Sequence, residues 1–334
     1  MVVKKDEAAL VISELQNYLI SPGDVFFTFK TGKVVKLLRA GSPVDPARMK
    51  RYLSSAGSLS IEKVTDPVNV ARSQELWLGL RNEKDFLKVP GMRLKILQWF
   101  KKVYWDGTEN GSLLDLVNIG ERVFYGLPPQ IESVMKSKCF DLFTRGALMG
   151  SLGATLCLAL GYVEFSFLRD FYHTCMLLDM KLHEKMSFSL HEAMEKGRQD
   201  YEEGLQYLEG LGLPLETQLY QDHEQMHENI SNLFSDYNVA LLIARHHERV
   251  DGTGFPGRLS EGEMSDVECL LLFLDALLPM QEMNFSSNDG RGYFKKAILE
   301  NNLKDKILSI RLEKMLEHIF ATLPEEEKPE SMSA

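Results

Sequence analysis

Seven of the eight histidines, at 173, 183, 191, 223, 227, 246, 247 and 318, fall between residues 173 and 247. Imidazole is a common transition-metal ligand and carries protons near neutral pH, so such clustering points to metal or acid–base chemistry. A histidine standing alone is ordinarily a hydrogen-bonded structural or surface group, and that reading suits His173, His191 and His318. The adjacent pair His246-His247 is different, and it is accompanied by carboxylates on apolar faces. DVECLLLFLDALLP puts Asp275 in line with Val267, Leu271, Leu274 and Leu278, and FSFLRDFYHTCMLLDMKL puts Asp179 among Leu168, Phe171, Cys175, Leu178 and Leu182. In HEQMHENISNLF, His223 precedes Met226 and Ile230 on the same face, with His227 one turn on. An unpaired buried carboxylate costs several kcal/mol, so each needs a cation or strong donors. Shared metal ions satisfy all of these groups at once; separate Asp–Arg or Asp–backbone pairs are the alternative.

The elements that must aim these groups are helices. NVALLIARHHER, entered from Asp236 as N-cap, reads as one helix whose buried stripe is Val239, Leu242, Ile243 and His246, with His247 one turn beyond Ile243. Neighbouring helical residues point about 100° apart, so this pair suits two ligand positions of a multi-metal site better than a single ion. Imidazole with carboxylate favours iron, manganese or zinc over magnesium. After the pair, Gly252 and Gly254 permit tight or positive-φ turns and a close backbone approach to a nucleotide. Glu248 and Asp251 either orient imidazole N–H groups or cap the helix end and loop.

Around this region the chain is long enough, at 334 residues, for more than one domain. Its charge of 38 − 48 = −10 disfavours tracking along a long nucleic acid but allows a small anion held by metals. With 44% apolar and 26% charged residues it is an ordinary globular composition. The runs VFFTF and KVVKLL flank the turn signal KTGK and predict a hairpin. A short helix beginning at Asp45-Pro46 follows, and IEKV at 61–64 is a further strand. Beyond Pro67 helical periodicity dominates. The chain is therefore read as mainly α: a small α+β unit at 1–66, a helical connector at 67–138, a helical domain at 139–322 and a solvated tail at 323–334. Residues 190–216 read as a solvated helical insertion. The uncharged stretch 146–163, with four glycines, is read as a tightly packed buried helix rather than a membrane span. The scattered Cys139, Cys157, Cys175 and Cys269 read as reduced core residues of a cytoplasmic protein. No secretory signal is visible.

HHERVDGTGFP at 246–256 resembles the HD-GYP signature HHExxDGxGYP, matching its fixed positions except for Phe255 in place of tyrosine. The resemblance extends over about 140–320: LLFLDALL is similar to the helix carrying that family's last metal-binding aspartate, at Asp275, and CMLLDMKL to its HD helix. More faintly, GRGYFKKA around Tyr293 resembles the substrate-contacting stretch, and the first 66 residues resemble the small regulatory domains found before some HD-GYP domains.

The resemblance implies an HD-superfamily helical bundle and two or three divalent transition metals, iron first and manganese next. It implies a bacterial signalling phosphodiesterase that hydrolyses cyclic di-GMP or a related small phosphodiester. Carried over position by position, the ligands are Asp179, His223, His246, His247 and Asp275, with Asp179 bridging. Glu248, Asp251, Gly252, Gly254, Phe255 and Tyr293 form the substrate side or loop. The sequence departs from the pattern at Leu178, where the family's HD histidine falls, at Leu182 in place of its lysine, and near Gly146, where an upstream histidine falls. Lys181 is the substitute phosphate contact. These departures leave a second expectation beside turnover: a degenerate domain that binds the nucleotide or a signalling protein without hydrolysis. Neither reading includes a membrane.

Overall fold

The computed structural model describes residues 15, 18, 20–45, 57–124, 126, 127, 129–138, 140–178, 187–197, 200–222, 237–255, 257–278, 285, 290–300 and 309–324. Among the described residues it is mainly α-helical, with one small sheet. Strands β1 (Gly23–Phe29), β2 (Val34–Leu38) and β3 (Gly57–Lys63) pair antiparallel in the order β2-β1-β3. The predicted hairpin is present, closed by Gly32 at φ 83°, a backbone region glycine enters without Cβ strain. The third strand starts four residues before IEKV. Val25 and Phe27 of β1 and Leu59 of β3 bury one face together with Leu15. The predicted helix at Asp45-Pro46 falls largely outside the described residues.

Helix α1 (Pro67–Asn82) follows at once. Asp66 accepts the Val68 and Asn69 amides at 2.9 and 3.3 Å, and Pro67 occupies the first turn, where its missing N–H costs nothing. Then come α2 (Val89–Phe100), which runs on into a π-helical turn at Lys101–Trp105, α3 (Leu113–Phe124) and α4 (Pro129–Lys138). Next are α5 (Phe140–Ala159) and α6 (Phe165–Leu177). One core joins residues on both sides of position 139: Trp77, Leu114 and Phe124 belong to it with Leu148, Phe171 and Leu274.

Helix α5 is the helix among the described residues long and apolar enough to cross a membrane, and its span Leu142–Ala159 is wholly buried inside the fold. Its glycines explain how α6 covers it so closely. A Cβ at Gly146 would stand 2.8 Å from the Met176 Cα, and one at Gly150 2.5 Å from the Tyr172 ring. Cys157, Cys175 and Cys269 are buried free thiols, and Cys139 lies outside the described residues.

Helices α7 (Phe188–Gly197), α8 (Tyr201–Gly210) and α9 (Pro214–Asp222) occupy the segment expected to be a solvated insertion. They instead enclose a core of their own, Leu190, Ala193, Met194, Leu208 and Tyr220. Charged residues on the outer faces hid that seam in the composition. Helices α10 (Tyr237–Ala244), α11 (Asp266–Leu277), α12 (Tyr293–Glu300) and α13 (Ile310–Thr322) complete the order.

Candidate functional site

Helix α10 stops at Ala244, so His246 and His247 stand in the turn beyond it and not on the helical face the periodicity suggests. The cause lies downstream, where the chain folds back over this end. The Phe255 amide donates to the His247 carbonyl at 3.2 Å, and Glu248 accepts the Gly257 and Leu259 amides at 2.5 and 2.8 Å. Released from the helix, the two rings lie side by side, centroids 3.9 Å apart and tilted by 41°. The expected 100° divergence therefore does not apply.

His246 is buried, and its Nδ1 lies 2.5 Å from the Ile243 carbonyl oxygen. A carbonyl oxygen only accepts, so Nδ1 carries the proton of that bond. Metal-binding histidines are commonly oriented by such a bond. His247 is half-buried and stacks on Phe255 at 4.8 Å and 10°. Phe255 thus retains the packing role of an aromatic ring at that position.

Of the two roles open to Glu248 and Asp251, the geometry shows loop capping. Glu248, buried, closes the loop as above. Asp251 accepts from the Thr253 amide at 2.9 Å and from its hydroxyl at 2.6 Å. Gly252 takes φ 76°. Gly254 is required by the chain itself: a Cβ there would lie 2.3–2.4 Å from the Glu248 and Arg249 backbone. Its bareness lets the loop lie on the histidine turn.

Helix α11 is tied to this turn at its first residues. Ser265 and Glu268 form a reciprocal capping box, and Glu268 also accepts Arg245 at 2.9 Å. Hydrogen bonds from Ser265 and Arg245 hold the Glu268 carboxyl below its usual range although burial opposes them. Further along α11, Asp275 is buried and Arg145 of α5 meets it. Arg145 Nη2 donates to Asp275 Oδ1 at 2.7 Å and to its carbonyl at 2.8 Å, while Nε donates to the Leu278 carbonyl at 3.1 Å. The two side chains are 1% and 8% exposed. Arg145 therefore neutralises the carboxylate and also caps the C-terminal end of α11, where a cation suits the helix dipole. Among the described residues its buried Nη1 has no hydrogen-bond partner.

Tyr293, half-buried, opens α12 and packs against the main core. The Gly292 amide donates to the Val103 carbonyl at 2.9 Å, and Phe294 stands between Phe273 of α11 and Trp105. Asp179, Lys181 and His223 lie outside the described residues. The helix expected to carry Asp179 ends at Leu177, with Leu178 turning out of the helix at ψ 135°. Leu178 itself is fully buried. His173 is structural as expected, its Nε2 3.1 Å from the Phe124 carbonyl oxygen, and burial pulls its pKa down. Among the described residues, no group of three or more His, Cys, Asp or Glu side chains is gathered closely enough to hold a metal. Of the expected ligands, His246 and His247 stand together, and Asp275 is engaged by Arg145.

The sequence reading missed Arg145, Arg249 and Tyr201. A signal for Arg145 was present: it is the one charge between Asp141 and Glu164, in a segment too apolar to leave a guanidinium unpaired.

No protein-family model matches the chain, and no curated protein matches it. Among solved structures it is similar to Bd1817, a HDG"Y"P protein from Bdellovibrio bacteriovorus, with 14% identity and a TM-score of 0.39 over 90% of this chain and 95% of that one. A likeness of that size carries no inference about fold or chemistry.

Proposed function

We propose that the chain is a cytoplasmic, metal-dependent phosphodiesterase of the HD-GYP type, acting on cyclic di-GMP or a closely related small phosphodiester. The observation that carries this reading is the pair His246-His247 in the HHERVDGTGFP segment, two rings 3.9 Å apart with His246 buried and its Nδ1 on the Ile243 carbonyl oxygen. His247, Asp275, Asp179 and His223 complete the proposed ligand set for two or three metals, iron first and manganese next. Such ions, when bound, supply hydroxide near neutral pH and polarise phosphodiester oxygens. The chain's own residues do the rest. Glu248 and Asp251 hold the loop, Phe255 backs His247, and Lys181 and Tyr293 are assigned to the substrate.

A second reading is a domain of the same ancestry that binds cyclic di-GMP or a signalling protein without hydrolysis. Two observations favour it. Leu178, at the position of the HD histidine, is sealed in the core, and Arg145 already supplies a cation to Asp275. Elemental analysis followed by incubation with cyclic di-GMP separates the two. Stoichiometric metal with linear or mononucleotide product supports the enzyme; tight nucleotide binding without product under iron, manganese or zinc loading supports the module and overturns it.

A further inference from the structure

Helices α7–α9 meet the histidine turn through a row of aromatic rings. His247 stacks on Phe255 at 4.8 Å, Phe255 meets Tyr201 at 3.8 Å and 42°, and Tyr201 stacks on Tyr220 at 5.0 Å and 18°. With the 3.9 Å contact between His246 and His247, five rings run from the imidazole pair into the core of the three-helix unit. The sequence builds the far end of this row with glycines. A Cβ at Gly197 would stand 1.8 Å from the Tyr220 hydroxyl and one at Gly204 2.4 Å, so both residues must be bare for Tyr220 to reach Tyr201. Asp200 caps α8 by accepting the Glu202 amide at 3.0 Å, which fixes the backbone where Tyr201 departs. A second tie runs beside the rings: Arg249 Nη2 donates to the Gly197 carbonyl at 3.3 Å.

The rotation of an imidazole about its terminal torsion is soft, with broad minima. A ring stacked on one face selects among those angles, and here that ring is itself held from behind by Tyr201. Aromatic contacts of this kind contribute beyond the area they bury and bias a side-chain angle.

We propose that Tyr201 is a positioning residue for the histidine pair, acting through Phe255, so that the α7–α9 unit sets the aim of His247. This rests on His246-His247 being the working pair of the proposed function. The test uses the full chain with labelled histidines, reading the ring-proton resonances of His247 in Tyr201→Phe, Tyr201→Leu and Tyr201→Ala, with metal affinity as a second readout. Tyr201→Phe keeps the ring and is expected to match the unsubstituted protein. Tyr201→Leu keeps apolar volume without the ring and is expected to move the His247 resonances and weaken metal binding about tenfold, in the range found when groups behind metal-bound histidines are removed. His191 on α7 reports that the unit stays folded, and the exposed His318 on α13 is the unaffected control. His247 resonances in Tyr201→Leu coincident with those of the unsubstituted protein would overturn the proposal. If the unsubstituted chain takes up no metal and cleaves no cyclic di-GMP while His247 still follows the Tyr201 ring, the functional reading falls and the positioning stands.

Discussion

At Asp275 the chain offers one carboxylate to two kinds of partner. Arg145 holds Oδ1 inside the core, and a pair buried this deeply depends on both members: removing one leaves the other charge uncompensated, at a cost of about 3–5 kcal/mol. His247 is different, since it is half-buried and its ring packs on His246 and Phe255. Asp275→Ala and His247→Ala are therefore expected to agree in one measurement and differ in another. Both should lower bound metal by elemental analysis. In urea unfolding, Asp275→Ala should be the less stable by several kcal/mol. Metal content unchanged in both variants would refute the ligand assignment. The same residues show how far the sequence could be read. An aspartate on an apolar stripe announces that it needs a cation, and Asp275 was found that way. That the described cation is Arg145 depends on α5 packing beside α11, a long-range pairing that periodicity does not encode.

Among the elements, the α5–α6 pair decides what the site can contain. Gly146, Gly150 and Gly153 face Met176, Tyr172 and Phe171, and no side chain fits at position 146 without pushing the helices apart. The upstream histidine of the HD-GYP pattern is thus sterically excluded there, a reason that four glycines in an apolar run only hinted at. Exchanging glycine for alanine in a helix normally gains about 1 kcal/mol from propensity, and overpacking a core loses about 1–3. At Gly150 the clash is with both the Tyr172 ring and its carbonyl oxygen, the latter at 3.0 Å, so loss should win. At Gly79 of α1 the nearest neighbour of an added Cβ is the flexible Met92 side chain at 3.8 Å, and propensity should win. Gly150→Ala is expected to lower the thermal midpoint and Gly79→Ala to raise it. A rise in both would mean that α5 and α6 separate easily. The end of α10 was less legible: NVALLIARHHER has unbroken helical periodicity, and what stops it at Ala244 is Glu248 reaching forward to Gly257 and Leu259. Those bonds close only when the loop is folded.

For the molecule as a whole, the small sheet joins the helical body at a buried acid. Asp115 of α3 accepts the Asp66 amide at 2.9 Å, at the junction of β3 and α1, and the Ser112 amide at 2.9 Å. Thr144 of α5 adds a bond to the Gly41 carbonyl at 3.3 Å. Burial raises the Asp115 carboxyl from 3.8 to about 7, only partly offset by the Ser112 and Asp66 amides, while the nearby Asp66 carboxylate pushes it further up. The Tyr104 hydroxyl beside it donates to the Ser112 carbonyl at 3.0 Å and is itself held neutral by burial and by Asp115. Between pH 4 and 7 the folded chain therefore keeps a proton on Asp115 that the unfolded chain releases, and stability contributed by this group falls as pH rises through that window. From pH 5.5 to 8 the loss amounts to about 1.5 pH units at 1.36 kcal/mol each, or roughly 2 kcal/mol. Asp115→Asn removes the titration and keeps one carbonyl acceptor for an amide, at the expense of the second. Urea unfolding at the two pH values should show the unsubstituted protein losing roughly 2 kcal/mol relative to Asp115→Asn on going from pH 5.5 to 8. A difference independent of pH would mean that Asp115 is ionised throughout and that the junction holds a charge its two amides fully compensate.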